Sequence, residues 1–144
     1  MAVSTETRVH GFIYDGLDLS ALMGCVQKTG LDAGAAAQAV ACYRDFLWVC
    51  WYHWNSGEGS SLAAIDVRAD AVWHCHMLQP DKYRQDCAQI FGAGVLLDHK
   101  PGGDAALGAI TAPLIAAACA AYEAAKVEPP ADPRPECVWS IVTP

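Results

Sequence analysis

Three of the five histidines, His74, His76 and His99, fall within twenty-six residues of one another, and Asp70, Tyr83 and Cys87 stand among them. Imidazole is a ligand for zinc, copper and iron alike, so three of them with open coordination positions would suit a transition metal. On a helix, Asp70 and His74 are four apart and share a face. A carboxylate placed there can fix the tautomer of an imidazole whose other nitrogen meets a metal or substrate. The expected ligands are therefore His74, His76 and His99, with Asp70 orienting or ligating. Tyr83 or Cys87 would supply a proton, a hydrogen bond or a further ligand, and a thiolate favours copper or zinc over a hard ion. One geometric objection stands: His74 and His76 are two apart, about 200° around a helix. Both reach one ion only where the helix ends or unwinds near His76, or where the segment is extended. An extended segment would turn Cys75, between them, to the other side.

Each of these residues also has a packing role open to it. His74 beside Trp73 reads equally as a core histidine bonded to Asp70, and His76 and His99 as surface or capping residues. Cys87 reads as a small core hydrophobe, and Trp73, Tyr83 and Phe91 as packing residues. His53, inside the aromatic run 48–54, reads as structural, and His10 carries no signal.

The elements that must position this cluster read as helices. Leu17, Leu19, Leu22, Met23 and Val26 suggest a short helix stopped at Gly30. Asp32 is an N-cap for a long helix over 33–54, whose apolar positions run almost all round, as in a central helix. Residues 55–61 form a loop by composition. Asp66 caps a third helix running to about Leu78, and Pro80 opens a fourth that Gly92 and Gly94 end. Those glycines would turn the chain back so that His99 lies over the third helix, with 95–101 short and extended. Asp104 or Thr111 opens the last helix, Pro113 being tolerated near its start. The Pro-rich tail 129–144 is non-helical and anchored by Trp139. The expected architecture is all-α: a compact bundle of about five helices over 16–144, preceded by an N-terminal arm at 1–15.

Composition narrows the function. The 144 residues are 53% hydrophobic and 17% charged, with a net charge of −7. Nine scattered Lys and Arg offer no basic stripe, which argues against nucleic acid and against an anionic membrane surface. The first residues lack the apolar core of a secretory signal, and the apolar run 105–121, broken by Gly108, Thr111 and Pro113, reads as buried helix rather than a span. Seven cysteines without a CxxC pair suggest reduced thiols in a cytoplasmic protein. Scarce charge also leaves apolar surface for a partner to cover, which suits a homo-oligomer.

The segment Asp70-x-x-Trp73-His74-x-His76, then Tyr83-x-x-Asp86-Cys87, Phe91-Gly92 and His99, resembles the hallmark of the glycine-rich-domain-containing-protein-like family. Upstream, Tyr43-Arg44-x-Phe46-Leu47 is similar to that family's tyrosine-and-FL helix. Tyr122, Pro129-Pro130 and Trp139 are similar to its ending. The resemblance spans most of the chain from about residue 40. Two departures are Ile65-Asp66 in place of the usual Pro-Ser lead-in and the absence of a glycine-rich region. The resemblance implies a helical domain in which His74, His76 and His99 act together, without naming an ion or a reaction.

The expected function is thus that of a small metal-binding protein, an enzyme acting on a small-molecule substrate through histidine-ligated copper, iron or zinc. Redox chemistry is favoured over hydrolysis by ligand softness and aromatic lining. The rival is a non-catalytic helical interaction domain in which Asp70 and His74 form a structural pair. Metal storage or delivery is a third reading, disfavoured for copper by few Met and dispersed Cys.

Overall fold

The computed structural model describes residues 3–101, 111–135 and 137–144. Within them lie six α-helices: α1 (Thr5–Gly11), α2 (Met23–Gln27), α3 (Ala33–Asn55), α4 (Val67–Met77), α5 (Pro80–Phe91) and α6 (Thr111–Ala124). Three strands, β1 (Ser61–Ala64), β2 (Leu96–Pro101) and β3 (Cys137–Val142), form an antiparallel sheet of order β1-β3-β2. The architecture is mostly helical α+β, not all-α as the sequence suggested. The helical periods were legible because they repeat over many turns. β2 matches the extended segment expected over 95–101, whereas β1, four residues long, and β3, behind a Pro-rich stretch, were not legible.

α3 is the axis. Asp32 accepts from the Ala35 amide at 2.8 Å and starts it, and Ala36, Ala39, Tyr43, Phe46, Leu47 and Cys50 are buried at helical spacing. α4 packs along this face, with Trp73 against Phe46 at a centroid distance of 5.0 Å. Asp66, itself buried, caps α4 by accepting from the Arg68 and Ala69 amides at 2.9 and 3.4 Å. Pro80 begins α5 at the first turn, where its missing N–H costs nothing. Gly92 and Gly94, at φ 123° and 76°, then turn the chain into β2.

Residues 5–16, expected to lie mostly in an arm, are helical and pack on the body. α1 runs into a π-type turn at Phe12–Gly16, and Val9 and Ile13 are fully buried. Arg44 fastens that turn by donating to the carbonyls of Ile13 and Leu17 at 2.7 and 2.9 Å. Arg8 donates to the Gln89 carbonyl on α5 at 3.1 Å. Trp139, at 2% exposure, anchors the tail as the centre of β3, the middle strand. Of the two starts expected for the last helix, Thr111 is observed, and Asp104 lies outside the described residues.

A further correction concerns the thiols. Cys25 on α2 and Cys75 on α4 form a disulfide, their Cα atoms 5.8 Å apart, where all seven cysteines were expected to be reduced. Their separation of 50 residues leaves no trace in the spacing, and only the packing of α2 on α4 brings them within bonding range. No helix among the described residues is long and apolar enough to cross a membrane.

Candidate metal centre

α4 and β2 meet at the group the sequence singled out, and they bring together a different trio from the one expected. The ligand atoms of Asp70, His74 and His99 all lie within 4.8 Å of one another. His74 Nε2 is 2.9 Å from His99 Nε2, which is 3.0 Å from Asp70 Oδ1, while Asp70 Oδ2 lies 3.7 Å from His74 Nε2. Helical spacing puts Asp70 and His74 on one face of α4. The pleat of β2 does the rest: Leu97 and His99 point inward, whereas Asp98 and Lys100 are exposed. In the sheet His99 pairs with Trp139, and its ring meets the edge of Trp73 at 4.6 Å. Asp70 and His99 are mostly buried at 13% and 12% side-chain exposure, and His74, at 53%, opens the group to solvent.

The electrostatics of this trio are unusual in one respect. A single nitrogen, His99 Nε2, faces both a carboxylate oxygen and a second imidazole nitrogen at hydrogen-bond distance. It carries at most one proton, which cannot serve both partners at full strength. A cation at that point would satisfy all three donors at once. Ligands at about 2.1 Å from an ion stand about 3.0 Å apart at right angles and about 3.4 Å apart at the tetrahedral angle. The two separations at His99 Nε2, 2.9 Å to His74 and 3.0 Å to Asp70 Oδ1, match the right-angle spacing, and the third side of the trio lies within 4.8 Å. The donor set fits a borderline transition metal better than magnesium or calcium, which prefer oxygen alone.

His76 is not brought to this group. It is 1% exposed on the core side of α4, where Nδ1 meets the Tyr43 hydroxyl at 2.7 Å and Nε2 meets Asp86 Oδ2 at 2.8 Å. α4 continues helically to Met77, so the unwinding that joint ligation required does not occur. With both ring nitrogens engaged inside the protein, His76 has none left for an ion beside His74. Lys82 completes the arrangement with an ion pair to Asp86 at 3.0 Å.

Tyr83 and Cys87, the expected proton donor or further ligand, lie outside the trio and contact the scaffold. Tyr83 Oη accepts from Trp73 Nε1 at 2.8 Å and donates to the Leu97 carbonyl. Cys87, one turn on, is buried beside the Leu97 backbone. Tyr83 thus satisfies the outer edge of β2 two residues before His99. Burial pushes both the Tyr83 hydroxyl and the Cys87 thiol up, which keeps them protonated and makes Cys87 a poor thiolate ligand.

Sequence reasoning missed Cys137, whose Sγ donates to Asp70 Oδ1 at 3.4 Å. The only available signal was the inward alternation of the last strand, hidden behind Pro135. It also missed Tyr43 and Asp86 as the partners of His76. No family model matches this chain, and the searches of curated proteins and of solved structures return no match either.

Proposed function

We propose that the chain binds one divalent transition-metal ion through Asp70, His74 and His99 and uses it to act on a small molecule. The observation that carries this reading is the convergence of two imidazole nitrogens and a carboxylate on one point, with separations suited to adjacent coordination positions. Two histidines and one carboxylate leave positions open, and that set is the one non-haem iron sites use for oxygen chemistry. Redox chemistry therefore stands ahead of hydrolysis, with iron, copper and zinc as the candidate ions. The half-exposed His74 gives a small substrate a route to the open side. The family resemblance, which rests on the motif residues alone, is consistent with this reading through Asp70, His74 and His99.

Elemental analysis of protein purified without chelators tests it. Near-stoichiometric iron, copper or zinc is expected in the wild type, and loss of that metal in His74→Ala and His99→Ala with circular dichroism unchanged. His76→Ala is expected to lose stability yet keep metal in the fraction that folds. Wild-type protein that stays metal-free after incubation with each ion would leave Asp70, His74 and His99 as a structural hydrogen-bonded group.

A further inference from the structure

Well apart from Asp70 in the sequence, α1, α3 and the chain after α6 enclose a recess of about 500 Å³ walled by His10, Tyr14, Trp48 and Tyr52. The rings form one aromatic surface. His10 lies 4.5 Å from Tyr14 and edge-on to Trp48 at 4.8 Å, and Trp48 lies 6.0 Å from Tyr52. Three carboxylates, Glu6, Asp45 and Glu128, line the same space, opposed only by the exposed Lys126. The Tyr14 hydroxyl donates to Asp45 Oδ1 at 2.7 Å, a bond that enriches the ring in electrons and fixes its orientation.

Asp45 and Glu128 also line an adjoining recess of about 290 Å³ with Asp66, Arg68 and Tyr122. There the Tyr122 hydroxyl is buried, at 4% exposure, without a hydrogen-bond partner among the described residues. A buried polar group in that condition calls for a partner. Four carboxylates against two cations make the combined space negative, and aromatic faces attract organic cations. An anion is repelled there, and a hard divalent ion gains nothing from the rings.

We propose that these two recesses form one binding site for an aliphatic polyamine, its methylene chain along the aromatic wall and its ammonium groups at Asp45, Glu128 and Tyr122. Asp45, at the junction, serves both halves. A monoamine would fill only one of them, which is why more than one charge is required. The site shares no residue with the metal centre and stands or falls separately from it.

Calorimetric titration of the whole chain with spermidine tests this, with the neutral 1,8-octanediol as control. Saturable one-to-one binding of spermidine, and none of the diol, is expected. Asp45→Asn, whose amide oxygen still accepts from Tyr14, should weaken binding about tenfold, and the exposed Glu128→Gln should weaken it by a smaller factor. Tyr122→Phe should cost about threefold in affinity while leaving the melting temperature of the free protein unchanged or higher, since it deletes an unpartnered hydroxyl. His74→Ala should bind spermidine as the wild type does. The proposal is overturned by absence of saturable spermidine binding, by equal binding of the diol, or by affinity unchanged in both Asp45→Asn and Glu128→Gln.

Discussion

His74 and His76 stand two residues apart on α4, and the helix sends one to solvent and the other into the core. In the core, the Tyr43 hydroxyl bonds to His76 Nδ1 at 2.7 Å and Asp86 accepts from Nε2 at 2.8 Å, so both ring nitrogens are engaged. Burial alone would raise the Asp86 carboxyl, but hydrogen bonds from His76 and Lys82 outweigh it and hold the group below its usual value. A carboxylate whose folded value lies below its unfolded one stabilises the fold above the unfolded value, about 3.9 for Asp. That contribution is lost as pH falls through the folded value. Denaturation midpoints of the wild type should therefore drop below about pH 4 more steeply than those of Asp86→Ala. At pH 7 that variant should be less stable by about 1–3 kcal/mol, because the buried Nε2–H of His76 loses its acceptor. Equal pH profiles for the two proteins would remove the hydrogen-bonded role assigned to Asp86.

At the scale of elements, two fasteners set where Asp70, His74 and His99 stand. The Cys25–Cys75 bridge ties α2 to α4, the helix that carries Asp70 and His74. Its loop of about 50 residues predicts that Cys25→Ala with Cys75→Ala lowers stability by about 2–4 kcal/mol in urea titration, with metal content per folded molecule retained. The second fastener is Tyr83, which joins α5 to Trp73 and to the edge of β2. Tyr83→Phe leaves the indole N–H and the Leu97 carbonyl buried without partners, an expected loss of about 2–4 kcal/mol. Because His99 lies two residues beyond Leu97 and packs on Trp73, metal affinity should fall about tenfold as well, the usual scale for a residue that supports a ligand. Unchanged affinity in competition with a chromogenic chelator would confine Tyr83 to stability.

Across the whole molecule, the sheet is what turns a helical cluster into a site. β3 is the last element of the chain, yet it lies between β1 and β2, sets the register of His99 opposite Trp139 and delivers Cys137 to Asp70. Removing its buried indole in Trp139→Ala should cost about 3–5 kcal/mol in denaturant titration and lower metal occupancy in the folded fraction, through displacement of β2. The sequence by itself determined α3, α4 and α5 and their ends, because caps at Asp32 and Asp66, Pro80, and the glycines at 92 and 94 act over three or four residues, and apolar stripes repeat each turn. It also determined that Asp70 and His74 share a face, since that follows from helical spacing. Only the tertiary structure decided that Asp70 rather than His76 joins His74 and His99, that Cys25 meets Cys75, and that Val9 and Ile13 pack into the core. Each of these depends on contacts between segments far apart in the chain, and local propensity carries no information about which distant surface a side chain will meet.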